Sequence, residues 1–143
     1  ERWPACEKDM TKSMAFGVRM GIERYNLDIA ARVEEGRTAA NERMAAVFDQ
    51  TDFIICASNP DIAFPAHIES NTRVAGEKAP AGNNGALTIP ANISGNPAIS
   101  VPAGLVDGMP VGVQIIGVQH SDRAILDLAH LWERHNPWPL IAG

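Results

Sequence analysis

The residues able to carry acid–base, nucleophilic or metal chemistry are few in this chain and widely separated. Four histidines, His67, His120, His130 and His135, and two cysteines, Cys6 and Cys56, are the candidate metal ligands. Structural and catalytic metal sites draw on ligands in close pairs, either a cysteine knuckle or two residues on adjacent helical turns. No pair here has that spacing, so no metal is expected. The serines are Ser13, Ser58, Ser70, Ser94, Ser100 and Ser121, and none stands in the Gly-x-Ser-x-Gly turn that presents a hydroxyl to a base. A nucleophile needs a base within hydrogen-bond reach and donors aimed at the developing oxyanion. Nothing in the order of residues assembles such a set, and no catalytic residue is expected. Glycines 104, 108, 112 and 117 are spaced like a phosphate loop, but Pro102 and Pro110 interrupt them and a strand follows, so neither a phosphate site nor a dinucleotide cofactor is expected. Trp3, Trp132 and Trp138 read as packing residues, since each ring buries a large area. Asn92-Ile93-Ser94 has the glycosylation pattern but falls inside a predicted short helix, and reads as coincidence.

The elements that must position any site come from a chain of 143 residues with 45% hydrophobic and 20% charged residues, a composition typical of one soluble globular domain. Net charge is −5 and the 12 basic residues are scattered, so no cationic stripe suits a nucleic-acid backbone. Apolar runs such as Phe53 to Ala57 are far short of the roughly 20 residues a membrane-crossing helix needs. The chain opens on Glu1 with no basic-then-apolar signal segment, which leads to the expectation of a fragment. Two cysteines are too few for a secreted disulfide framework, so free thiols and a cytoplasmic location are expected.

Residues 1–37 read as a peripheral helical segment, one helix and a looser second stretch, because Met10, Met14, Val18 and Ile22 recur every four positions among Gly17, Gly21 and Gly36. A further helix is expected from Thr38 as cap, with Ala40, Met44, Val47 and Phe48 on one face and a stop at Asp49 to Asp52. Phe53 to Ala57 lacks alternation and reads as a parallel-type strand covered on both faces. Residues 58–86, rich in Asn, Pro, Gly and Ala, read as a long loop without structure of its own, which in a compact domain is usually functional, mobile or covered by something else. Thr88 to Asn96 reads as a short helix capped by Thr88 and ended by Gly95. Ala98 to Val101 and Val111 to Val118 read as neighbouring strands, with Asp107-Gly108 suited to a hairpin turn. The last helix starts at Ser121, a cap whose loss is expected to cost roughly 1 kcal/mol, packs Ile125, Leu128, Ala129 and Trp132, and ends before Asn136-Pro137.

The run from Thr88 through Ile-Pro-Ala-Asn-Ile-Ser-Gly-Asn-Pro-Ala-Ile-Ser-Val-Pro-Ala to Gly104, followed by Gly108-Met-Pro-Val-Gly-Val-Gln-Ile-Ile-Gly117, resembles the C-terminal segment of the amidase signature family. The likeness extends from Tyr25 through the Asp52 to Ala57 strand to the Pro-Trp ending at Trp138. It implies a hydrolase that converts carboxamides to carboxylates and ammonia or an amine, on a large mixed sheet with helices on both sides. In that family a serine nucleophile, a second, proton-relaying serine and a lysine base do the chemistry. This chain has no paired serines, no Gly-Gly-Ser run and only Lys8, Lys12 and Lys78, so none of those roles transfers to it.

The reading is therefore an α/β protein, part of a mixed β-sheet flanked by helices: one partial domain over 1–143, with residues 38–143 as its sheet-and-helix core. The expected partners are a small-molecule amide and the remainder of an amidase chain, with no cofactor, nucleic acid or membrane. Loops leaving buried strands commonly line clefts, which singles out Asn59, Ile62 and Phe64 as substrate-binding candidates. Open strand edges lead to an expectation of homo-oligomers or aggregation for the chain by itself. The alternative is a non-catalytic ligand- or protein-binding module derived from the same fold.

Overall fold

The computed structural model describes residues 3–68, 70–80 and 82–138. The backbone falls into two compact units, Glu1–Ala39 and Ala40–Gly143. In the first, a 3-10 turn at Glu7–Asp9 precedes helix α1 (Lys12–Arg24), whose N-cap Thr11 accepts a hydrogen bond from Met14 N. Helix α2 (Leu27–Phe48) starts earlier than the sequence suggests: Asn26 Oδ1 accepts from Ile29 N at 2.9 Å, the cap geometry expected of asparagine. Thr38 is consequently a mid-helix residue rather than a cap. The run of Ala, Arg and Glu from Ala30 to Ala40 carries the helix through Gly36, against a glycine cost of about 1 kcal/mol. The stop falls where expected: Gln50 Nε2 donates to Ala46 O, and Val47 O accepts from both Gln50 N and Thr51 Oγ1, so carbonyls of the last turn are met by the residues that follow it.

The second unit is built on a three-stranded sheet in the order β1-β5-β4, formed by β1 (Phe53–Ala57), β4 (Ala98–Val106) and β5 (Met109–Gly117). Both pairings are antiparallel, with Ile55 and Ile99 flanking Ile115 from either side. The β4–β5 hairpin turns at Asp107 (φ 51°) and Gly108 (φ 76°), the two left-handed positions that a two-residue hairpin loop of this twist requires. A register shift between Pro102 and Leu105 accommodates a proline that cannot donate to the ladder. Residues 58–86 are not bare loop: β2 (Arg73–Val74) and β3 (Glu77–Lys78) form a short antiparallel hairpin, and a 3-10 turn follows at Asn83–Gly85.

Helix α3 (Ile89–Ser94) ends at Gly95 in the left-handed conformation, as read, but Thr88 does not cap it: its hydroxyl donates to Gly85 O. Helix α4 (Asp122–His135) lies over β4 and β5, and its expected face is the core: Ile125 and Ala129 bury against Val101 and Ile115, with Leu128 and Trp132 beside them. Ser121 does not cap α4 either. Its Oγ donates backwards to Val118 O at 2.6 Å, so the cap cost expected of it does not apply.

The α/β class read from the sequence holds, but the two-sided burial expected of Phe53 to Ala57 does not. Within the described residues β1 pairs only with β5, antiparallel, and stands at the sheet edge. Phe53 at the start of β1 packs against the core cluster, but Ile55, which shares a face with the 1% exposed Ile115, is left 63% exposed. The absence of alternation in the sequence reflects apolar residues on both faces, not cover on both.

Candidate functional site

The chain leaving β1 continues the ladder for one more residue, with Ser58 N donating to Gly112 O at 2.9 Å. Here Ser58 and Ser100 place their hydroxyls 2.5 Å apart across the underside of β5. A β-carbon at position 112 would lie 2.7 Å from Ser58 Oγ and 2.8 Å from Ser100 Oγ, so the pair needs glycine there. The segment then turns through Asn59 and Pro60 and folds back against the β4–β5 hairpin.

Between the two lies a cleft of about 680 Å³, inside the range of small-molecule sites. Asn59, Ile62 and Phe64, the three residues singled out from the sequence, all line it. Ile62 and Phe64 are half-buried and Asn59 is exposed. The facing wall is apolar, with Val106, Pro110, Val111 and Val113. Polar groups gather on the loop side, where Asp61, Asn71 and Asn84 join Asn59. Sequence reasoning found one wall and missed the other, because the facing residues come from a hairpin whose register with β1 has no local signal. It also missed Asp61 and Asn71. The density of asparagines between 59 and 84 was the available clue, since these side chains bond readily to nearby backbone.

Most of the serine hydroxyls are paired without a base. Ser94 Oγ donates to Pro90 O at 2.9 Å, Ser121 Oγ to Val118 O, and Ser58 is paired with Ser100. Among the described residues no serine bonds a lysine, a histidine or a carboxylate side chain, and no three His, Cys, Asp or Glu residues gather as a metal site. Cys6 and Cys56 are free thiols, and Cys56 Sγ accepts from Gln114 Nε2 at 3.3 Å. Among the described residues no helix is long and apolar enough to cross a membrane. What the cleft offers is shape, apolar contact and amide hydrogen bonding, the requirements for holding a small molecule with one apolar and one polar end.

The sequence model of the family described as Amidase matches residues 9–126. One subunit of the glutamyl-tRNA(Gln) amidotransferase from Dehalococcoides mccartyi (strain CBDB1) is 31% identical over 144 residues, covering 95% of this chain and 29% of that protein. The subunit of the same name from Geobacillus thermodenitrificans (strain NG80-2) is 37% identical over 103 residues, 72% of this chain and 20% of its own. Among solved structures, a bacterial aryl acylamidase of the amidase signature family superposes with a TM-score of 0.82 at 25% identity, over 96% of this chain and 29% of that one. The chain thus spans about three tenths of the length of the first of these relatives.

Proposed function

The chain belongs to the amidase family, and from that membership we propose that it forms scaffold and one part of the substrate pocket of an enzyme that hydrolyses a carboxamide to a carboxylate and ammonia or an amine. The cleft between the loop after β1 and the β4–β5 hairpin is the observation that carries the proposal. Ile62 and Phe64 take the apolar part of the amide, and Asn59 at the mouth orients its polar end. The reactive hydroxyl and its base come from outside these residues, and the lack of a base beside any described serine supports that division. The partners are a small amide and the remainder of the amidase, with residues 38–143 as the sheet-and-helix core that meets it and 1–37 as a peripheral helical segment. Free Cys6 and Cys56 support a reducing, cytoplasmic setting.

Ammonia release tests the reading. The chain alone, supplied with acetamide or hexanamide, is expected to release none, whereas the enzyme that carries it releases ammonia from at least one. Turnover by the chain alone would refute the division of labour. Binding of an amide without turnover in either form would favour a non-catalytic binding module on the same fold.

A further inference from the structure

The loop wall of the cleft is held by side chains more than by a backbone ladder. Asp61 Oδ1 accepts from Ile62 N at 2.8 Å, and Asp61 Oδ2 accepts from Asn71 Nδ2 at 3.0 Å. The same Asn71 amide nitrogen donates to Ile62 O at 3.3 Å, so one side chain grips both the carboxylate and the backbone of the residue that lines the cleft. Asn71 in turn offers its own carbonyl to Asn83 Nδ2 at 3.3 Å. Asn83 is 7% exposed, and its Oδ1 has no partner among the described residues. Burying an amide with an unmet acceptor is costly, and among the described residues the one hydrogen bond this side chain makes is the one to Asn71. Three stretches far apart in sequence, at 61–62, 71 and 83, are therefore joined through Asn71.

The geometry points to Asn71 as a positioning residue that decides which amides the cleft accepts, an inference that rests on the amidase function proposed for the chain. By clamping Asp61 and the Ile62 carbonyl it sets how far the apolar wall of Ile62 and Phe64 stands from the hairpin. That spacing favours amides bearing an extended aliphatic group over the smallest ones. Asn71 touches the cleft wall, not the scissile bond, so its effect belongs in the recognition of the apolar group.

In the enzyme that carries this chain, Asn71→Ala is expected to lower kcat/KM for hexanamide relative to acetamide about tenfold, the scale of one misplaced methylene contact. The change should lie in KM for hexanamide more than in kcat. Asp61→Asn, which sets two donors face to face, should give the same loss. Combining Asp61→Asn with Asn71→Asp restores a donor opposite an acceptor between the two side chains but leaves the Ile62 carbonyl without its donor, so it should recover the ratio in part, which a merely destabilised loop would not do. Hydrogen exchange at the Ile62 amide, a readout independent of catalysis, should quicken in Asn71→Ala. Unchanged exchange would overturn the clamp, and faster exchange with an unchanged hexanamide-to-acetamide ratio would overturn its role in selection. Faster exchange in an enzyme that releases ammonia from no amide would uphold the clamp and sink the amidase reading.

Discussion

Gly117 closes β5 directly beneath the start of α4, and replacing it by alanine tests how tightly the helix is seated. A β-carbon built there lies 2.8 Å from Ile125 Cγ2 and 3.5 Å from Ser121 Cβ, and it collides with Ser121 Oγ. The hydroxyl can swing aside only by giving up its bond to Val118 O, a loss of about 1 kcal/mol. Ile125 has no such escape, because it is 4% exposed and wedged among Val101, Ile115 and Ala129. Overpacking a site of that kind costs about 1–3 kcal/mol. The two contributions put Gly117→Ala at about 2–4 kcal/mol less stable, and with roughly 3 °C lost per kcal/mol at this chain length, Tm should fall by about 6–12 °C. Urea unfolding at low protein concentration, followed by tryptophan fluorescence, measures the difference. Adding Ile125→Leu removes the offending β-branch at nearly constant volume, and the double-mutant cycle should return a favourable coupling of about 1 kcal/mol. A loss below about 0.5 kcal/mol for the single variant, or no coupling to position 125, would refute the packing argument.

Three further outcomes follow from the same geometry. Asn26→Ala removes the acceptor for Ile29 N and should destabilise the start of α2 by about 1 kcal/mol, visible as reduced helical circular dichroism and a lower unfolding midpoint. Phe64→Ala, in the enzyme that carries this chain, should change the hexanamide-to-acetamide preference while leaving the unfolding midpoint of the half-exposed loop region near its original value; an unchanged preference removes Phe64 from the pocket. Ile55→Lys puts a charge on the open face of an edge strand and should shift the isolated chain toward smaller species in sedimentation, whereas an unaltered distribution would refute association through this strand.

What could be read in the residues was whatever depends on near neighbours. Asp107-Gly108 specifies a hairpin because both positions need positive φ, and Gly95 ends α3 for the same reason. The Ile125, Leu128, Ala129, Trp132 face was legible because a helix repeats its contacts every three or four residues. Capping was less legible: Thr88 and Ser121 stand in the right places, yet each hydroxyl finds a carbonyl behind it and donates there instead. Gly36 and Thr38 suggested a break that the surrounding helix formers override. The edge position of β1 depends on which strand pairs with it, a long-range choice that five apolar residues cannot encode alone. For the cleft, the loop residues Asn59, Ile62 and Phe64 could be named from their place after a strand, but their partner wall waits on a register set some fifty positions later in the chain, between Ala57 and Val113.

The strand order β1-β5-β4 leaves residues 59–86 as a tether running from the outer strand toward α3, outside the ladders of the main sheet. The entropy of closing such a tether grows only logarithmically, by about 0.6 kcal/mol for each doubling of its length. Insertions and deletions that spare Asp61, Asn71 and Asn83 can therefore reshape the rim of the cleft without disturbing strand pairing. The pairing of the main sheet and the shape of the cleft rim are thus separately adjustable, and a library of length variants in this stretch would alter the second while sparing the first.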